Sequence, residues 1–166
     1  HPAAALRHCR EARHPLVIKA DGLALGKGVV IAATPDDSAR AVRDMMEHRK
    51  FEETGERIVI EECLVGTECS LHALVDGRDT LLLEAAQDHK KALDGDRGPN
   101  TGGMGALSPP PALTAERRRE AIARVLEPFA RGMMSEGVPY RGLLFPGVML
   151  TPSGVRVLEF NARFGD

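Results

Sequence analysis

Three cysteines, Cys9, Cys63 and Cys69, stand in 166 residues. Their number is odd and no CxxC spacing occurs, which argues against a disulfide framework and makes a reducing cytoplasm the expected compartment. No long hydrophobic run is present either. The longest, residues 81–83 and 142–150, fall far short of the roughly 20 apolar residues that a membrane-crossing helix needs. Neither a basic n-region nor a signal-type apolar stretch opens the chain. Charge of one sign is also missing: 22 Lys and Arg face 24 Asp and Glu, for a formal net charge of −2 without like-charge blocks. Neither nucleic acid nor a membrane surface is therefore an expected partner. No internal repeat or low-complexity segment appears. What remains is a chain 43% hydrophobic, enough for one sizeable core or two small lobes. It opens on His1 and stops at Asp166, just after the polar cluster 161–165, and the expectation is a piece of a longer enzyme.

The hydrophobic pattern alternates between strand and helix periods. Residues 15–20 (PLVIKA) form a short apolar run ended by Asp21-Gly22, a strand signal. A glycine-bearing loop, residues 22–28, leads to a second run at 29–32. Thr34 then reads as an N-cap, with Pro35 at the first helical position and Asp36 and Asp37 in the first turn. Ala39, Val42, Met45 and Met46 keep helical spacing behind it. Strand signals follow at 57–61, 68–75 and 80–85, the last two joined by Asp76-Gly77 in a hairpin. Residues 87–111 show no period, and so long a Gly- and Pro-rich stretch is more often a functional loop than a linker. Thr114 caps a long helix to about residue 136, with Pro128 expected to kink it. Two strands, 142–150 and 155–160, close the chain around Pro152-Ser153-Gly154.

Four constellations can carry chemistry. Lys19 sits in an apolar strand and Lys27 between two glycines, where free backbone amides can approach an anion. Two cations bracketing a glycine loop suit a polyphosphate, although a snorkelling lysine and an exposed loop lysine fit the same residues. A Walker loop is disfavoured: three residues, not four, separate Gly22 from Gly26, and Gly28 follows the lysine. In Glu61-Glu62-Cys63-Leu64-Val65-Gly66-Thr67-Glu68, a backbone leaving a strand can read an adenine edge and a later carboxylate can accept ribose hydroxyls. Solvated strand-end acids are the alternative. Glu159 and Asn161, two apart on a strand, point to one face and offer hard oxygen donors for Mg²⁺, with Arg163 close by in sequence. An ordinary acidic strand end is the alternative there. Finally, residues 87–91 (QDHKK) and 98–105 (GPNTGGMG) could line a small anionic substrate with backbone amides, or form a surface loop. His72, at mid-strand, reads as packed or exposed rather than as a metal ligand.

Residues 15–29 (PLVIKADGLALGKGV), 60–70 (IEECLVGTECS), 87–105 (QDHKKALDGDRGPNTGGMG) and 158–166 (LEFNARFGD) occur in an order and spacing that resemble the glycinamide ribonucleotide synthetase family of the ATP-grasp superfamily. The first, second and last segments have looser counterparts across that superfamily, whereas QDHK and PNTGGMGA are specific to the one family. The resemblance implies an α+β ATP-grasp fold, a small antiparallel lobe closing over a larger antiparallel sheet with helices. Residues 1–14 would be a lead-in, 15–86 the small lobe and 87–166 part of the large one. It implies ligation of glycine to phosphoribosylamine through glycyl phosphate, with ATP as co-substrate and Mg²⁺ or Mn²⁺ as cofactor. Lys19 and Lys27 would contact phosphates, Glu61 and Leu64 adenine, and Glu68 the ribose. Glu159 and Asn161 would hold the metal. Asp88, Asn100, Thr101, Gly102, Gly103 and Arg163 would form the glycine and acyl-phosphate side, with Arg163 and Lys27 as the catalytic cations. Leu107 and the Phe145-Pro146-Gly147 triplet depart from the family pattern, which touches local packing rather than an assigned ligand. Two rivals remain: another ATP-grasp ligase, such as a carboxylase-type purine enzyme, and a nucleotide-binding fragment without turnover.

Overall fold

The computed structural model describes residues 1–22, 28–48, 57–95 and 97–165. The chain divides into two compact units, residues 1–64 and 65–166.

In the first unit, α1 (Pro2–Glu11), β1 (Leu16–Ala20), β2 (Val29–Ala32), α2 (Pro35–Met46) and β3 (Ile58–Glu62) follow in order. β1 lies at the centre of a three-stranded sheet, antiparallel to both β2 and β3. Leu16 and Ile18 point to one face and join Cys9, Ala32, Ala41, Val42 and Met45 in a core closed by the helices. The α2 entry forms as its sequence dictates: Thr34 Oγ1 accepts from the Asp37 N–H at 3.2 Å, with Pro35 and two acids in the first turn. Residues 1–14, expected as a lead-in, instead carry α1. Its run of Ala and Leu favours helix, and its Cys9 is wholly buried in the core. Among the described residues, the one buried polar side chain of this core, Ser38, meets His14 Nε2 at 2.6 Å and donates to the Thr34 carbonyl at 3.2 Å.

In the second unit a sheet runs in the order β12 (Gly154–Asn161), β11 (Arg141–Thr151), β5 (Ala73–Asp76), β6 (Thr80–Leu82), with β4 (Thr67–Ser70) also on β11. Two differences from the sequence expectation have physical causes. The single strand expected at 68–75 is broken between β4 and β5, opposite Pro146 of β11. Leu71 N–H donates to the Pro146 carbonyl at 2.9 Å, but proline has no N–H to return, so the ladder lapses there. And the division of the chain falls after Leu64, not after residue 86, because β4 to β6 pair with β11 or with each other and bury Cys69, Leu71, Ala73, Val75 and Leu82 in the second core.

Against this sheet packs one helical run, α3 (Ala115–Ala121), a π-helical turn (Ile122–Leu126) and α4 (Glu127–Ser135). The irregularity expected at Pro128 is met by the wider turn just before it. Pro128 cannot donate to the carbonyl four residues back, and Glu127 N–H reaches Ile122 five residues back. Val125, Leu126 and Ala130 thereby reach Leu71, Leu144 and Val148 in one core cluster. The stretch expected to be without period holds four short strands: β7 (Gln87–Asp88) with β10 (Ala106–Leu107), and β8 (Lys91–Leu93) with β9 (Arg97–Asn100). No helix among the described residues is long and apolar enough to cross a membrane.

Candidate functional site

Strand alternation decides what the first unit offers. With Leu16 and Ile18 facing the helices, Val17 and Lys19 face the other way, beside Val29, Ile31, Val59 and Glu61 in register. Ile31 is 62% and Val29 50% exposed, so this sheet face is apolar and open. Lys19 Nζ lies 2.7 Å from Glu61 Oε2 across it. An apolar strip bordered by an ion pair suits a flat ring with a polar edge. The Ala20 N–H donates to the Gly28 carbonyl at 2.8 Å and closes the base of the glycine loop. Lys27, within residues 23–27, lies outside the described residues, as does Asp166. Leu64 follows β3 and is half-buried at the end of the unit.

In the second unit Glu68, Asp88, Gly102, Glu159 and Arg163 converge, while Thr101, Gly103 and Asn161 are not among the residues lining the same cleft. A cleft of about 110 Å³ is lined by Glu68, Asp88, Lys90, Gly102, Glu159 and Arg163, together with His72, Phe145 and Gly165. A larger hollow of about 650 Å³ beside the β8 segment shares Glu68, Asp88 and Lys90 with it. β12 places Glu159 and Asn161 on one face, and Asn161 Nδ2 donates to Glu159 Oε1 at 3.2 Å. The amide oxygen of Asn161 and the carboxylate oxygens of Glu159 are hard donors. No cluster of three or more His, Cys, Asp or Glu suited to a metal occurs among the described residues. Two oxygen donors with phosphate and water completing the shell is the arrangement Mg²⁺ accepts.

Thr101 holds the glycine-rich loop closed rather than facing outward. Its N–H and Oγ1 both donate to the Lys90 carbonyl, at 2.7 and 2.9 Å, and Oγ1 accepts from Gly103 N–H at 3.1 Å. Gly103 has φ +132°, and a Cβ there would stand 3.3 Å from Asp88 Oδ1. The loop backbone therefore runs against the Asp88 carboxylate. Asn100 ends β9; its side chain lies outside the described set.

Sequence reasoning missed Lys90. Its Nζ pairs with Glu68 Oε1 at 2.9 Å. Burial is the largest single influence and works against its charge, yet the Glu68 hydrogen bond and the charges of Glu68, Asp88 and Glu159 outweigh it, so its pKa stands above the ordinary lysine value. Glu68 on β4 thus pairs with the ammonium, and the charges of Asp88 on β7 and Glu159 on β12 favour its protonated form as well. The sequence carried Lys90 within the QDHK segment but gave it no role of its own, because its carboxylate partners Glu68 and Glu159 lie far away along the chain. His72 is packed, as expected for it: its ring stacks on Phe145 with centroids 4.7 Å apart. Cys69 is buried, which pushes its thiol up to about 11, so it is no nucleophile.

The whole chain, residues 1–166, matches the family model described as phosphoribosylglycinamide synthetase, ATP-grasp (A) domain. The chain belongs to this family. A phosphoribosylamine–glycine ligase of Xanthomonas axonopodis pv. citri is 49% identical over 164 residues, 98% of this chain and 38% of that protein. Among solved structures, the phosphoribosylamine–glycine ligase of Thermotoga maritima superposes with a TM-score of 0.86 at 36% identity, covering 99% of this chain and 41% of that one. The biotin carboxylase domain of Hydrogenobacter thermophilus 2-oxoglutarate carboxylase, at 16% identity, reaches a TM-score of 0.71 over 99% of this chain and 34% of that one. At that distance the likeness is one of fold, and it is the α+β ATP-grasp fold expected from the sequence. The chain spans about two fifths of the length of the ligases it matches.

Proposed function

We propose that this chain supplies the nucleotide and glycine sites of an ATP-dependent ligase that joins glycine to phosphoribosylamine, giving glycinamide ribonucleotide, ADP and phosphate. The observation that carries this reading is convergence. Asp88 and Lys90 from QDHK, Gly102 from PNTGGMG, and Glu159 and Arg163 from LEFNARFG line one cleft, and the first two segments are those that set this family apart.

The roles are those that the family resemblance implies, and the charges of the side chains suit them. In the first unit, Lys19 and Lys27 meet phosphate oxygens, while Glu61 and Leu64 meet adenine with their backbone. In the second, Glu68 accepts from the ribose hydroxyls. A divalent metal, Mg²⁺ or Mn²⁺, would be held by Glu159 and Asn161 and would neutralise phosphate charge. Asp88 meets the glycine ammonium, Arg163 its carboxylate, and the backbone of Asn100, Thr101, Gly102 and Gly103 lines the acyl-phosphate side. Phosphoryl transfer to the glycine carboxylate leaves little covalent chemistry to the protein, so positioning and charge compensation by Lys19, Lys27 and Arg163 supply the catalysis. The setting is a cytoplasmic one, with small molecules as partners.

Two measurements test the reading. ADP release by the ligase is expected to require glycine and phosphoribosylamine together; release driven by bicarbonate instead would assign the chain to a carboxylase-type purine enzyme. Lys27→Ala is expected to weaken ATP by roughly 1.5–3 kcal/mol, the worth of a charge-assisted contact, with AMP nearly unaffected. Equal losses for ATP and AMP in calorimetric titration would remove Lys27 from the phosphate tail.

A further inference from the structure

The 163–165 segment follows β12 and includes the exposed Arg163. Two features of the sheet beneath it are not required by strand pairing. His72 stands in the gap between β4 and β5 that Pro146 opens, and Phe145 precedes that proline on β11. Their rings stack at 4.7 Å with an interplanar angle of 20°. The Arg163 guanidinium carbon lies 5.4 Å from the centre of the Phe145 ring, within cation–π range. Gly165 N–H donates to His72 Nε2 at 3.1 Å. A Cβ on Gly165 would come within 2.9 Å of both His72 Nε2 and Phe145 Cζ, so only glycine allows this approach. Arg163 Nη1 also donates to the Phe164 carbonyl at 2.8 Å, which folds the segment on itself between those two anchor points.

We propose that His72 and Phe145 are positioning residues for Arg163, a two-ring platform that fixes the guanidinium by a cation–π contact and its chain by the Gly165 hydrogen bond. The proposal rests on the role assigned above to Arg163, but the platform itself does not depend on it. A guanidinium on a flexible strand exit would sample many orientations. Pinned at the ring and again two residues later, it presents its remaining donors to the cleft that holds Glu68, Asp88, Lys90 and Glu159, and less ordering is needed when an anion arrives. The Phe145-Pro146 pair, read from the sequence as a departure in packing, then has a joint effect: the proline opens the ladder where His72 sits, and the phenyl ring stacks on the His72 ring.

The hydrogen bond sets a condition on His72. Nε2 accepts, so the ring must be neutral and carry its proton on Nδ1. Burial disfavours the charged ring and holds its pKa below the ordinary 6.5. The Gly165 contact is therefore made at neutral pH and lost as the pH falls through that lowered value. The charged groups that line the same cleft are Glu68, Asp88, Lys90, Glu159 and Arg163, and burial alone accounts for the direction of the His72 shift.

Amide and guanidinium NMR of the ¹⁵N-labelled chain, followed on acidification from about pH 8 to about pH 5 across the ordinary histidine range, is the test. The Gly165 amide is expected to lose its hydrogen-bonded shift with a midpoint below 6.5, and Arg163 Nε–H to move with it. In His72→Gln, which keeps an acceptor but no titrating ring, both signals are expected to stay flat. In Phe145→Leu the ring-current shift of Arg163 is lost, and glycine affinity beside a nonhydrolysable ATP analogue falls about two- to fivefold, the range of an exposed cation–π contact. Phe145→Tyr restores both. A Gly165 amide without inflection in the native chain, or the same inflection in His72→Gln, overturns the hydrogen-bond half. Arg163 signals unmoved by Phe145→Leu overturn the platform. Spectra that behave as expected while glycine affinity stays constant leave the platform standing and refute the role given to Arg163.

Discussion

Glu159→Ala is expected to abolish most of the metal-dependent part of nucleotide binding. In the second unit Glu159 supplies the only carboxylate on the β12 face it shares with Asn161, and two protein oxygens are few for a divalent cation. Losing the charged one should cost at least the roughly 10–100-fold in metal affinity that even outer partners of metal sites are worth. The affinity of ATP without metal should change little, or rise slightly, because a negative charge beside the phosphates is gone. Calorimetric titration of ATP with and without Mg²⁺ separates the two quantities. A variant whose affinity still responds to Mg²⁺ as the native chain does would move the metal away from Glu159.

The largest loss of stability is expected at Leu126. It is wholly buried, it lies on the π-helical turn that Pro128 imposes, and it anchors the helical run to Leu71, Leu144 and Val148 of the sheet. Truncation to alanine removes three carbons and leaves a cavity that a sheet on one side and a proline-constrained helix on the other can fill only in part. The cost should be about 2–5 kcal/mol. Leu81→Ala, at a position 61% exposed on β6, should stay within about 0.5 kcal/mol. Denaturant midpoints of the two variants against the native chain give the comparison. Equal shifts would mean that the helical run is not what closes this core.

The parts of the fold and of the site were not equally visible in the sequence. The Thr34-Pro35-Asp36-Asp37 entry to α2 was legible because capping is local: the bonds close within four residues. The same-face relation of Glu159 and Asn161 was legible because strand alternation is a property of the backbone. The boundary between the units was not, because β4 to β6 look like a continuation of the preceding strands until the pairing of β4 and β5 with β11, some seventy residues later, is known. The break between β4 and β5 was hidden for the same reason, since its cause, Pro146, sits on the partner strand. Lys90 was missed because its meaning lies in three carboxylates from three distant segments. The short ribbons β7 to β10 carry too few residues to show a period, so a glycine- and proline-rich composition read as plain loop.

The central claim is that one chain holds both halves of a carboxylate-activating site, nucleotide and glycine. NMR titration with labelled glycine, in the presence of Mg²⁺ and a nonhydrolysable ATP analogue, tests it most directly. Asp88 would pair with the ammonium and Arg163 with the carboxylate, a two-point recognition that a neutral ligand cannot satisfy. The account predicts weak, saturable glycine binding that Asp88→Asn abolishes and Arg163→Ala sharply weakens. Saturable binding that survives both substitutions would contradict it, and would leave the nucleotide assignments without their glycine partner.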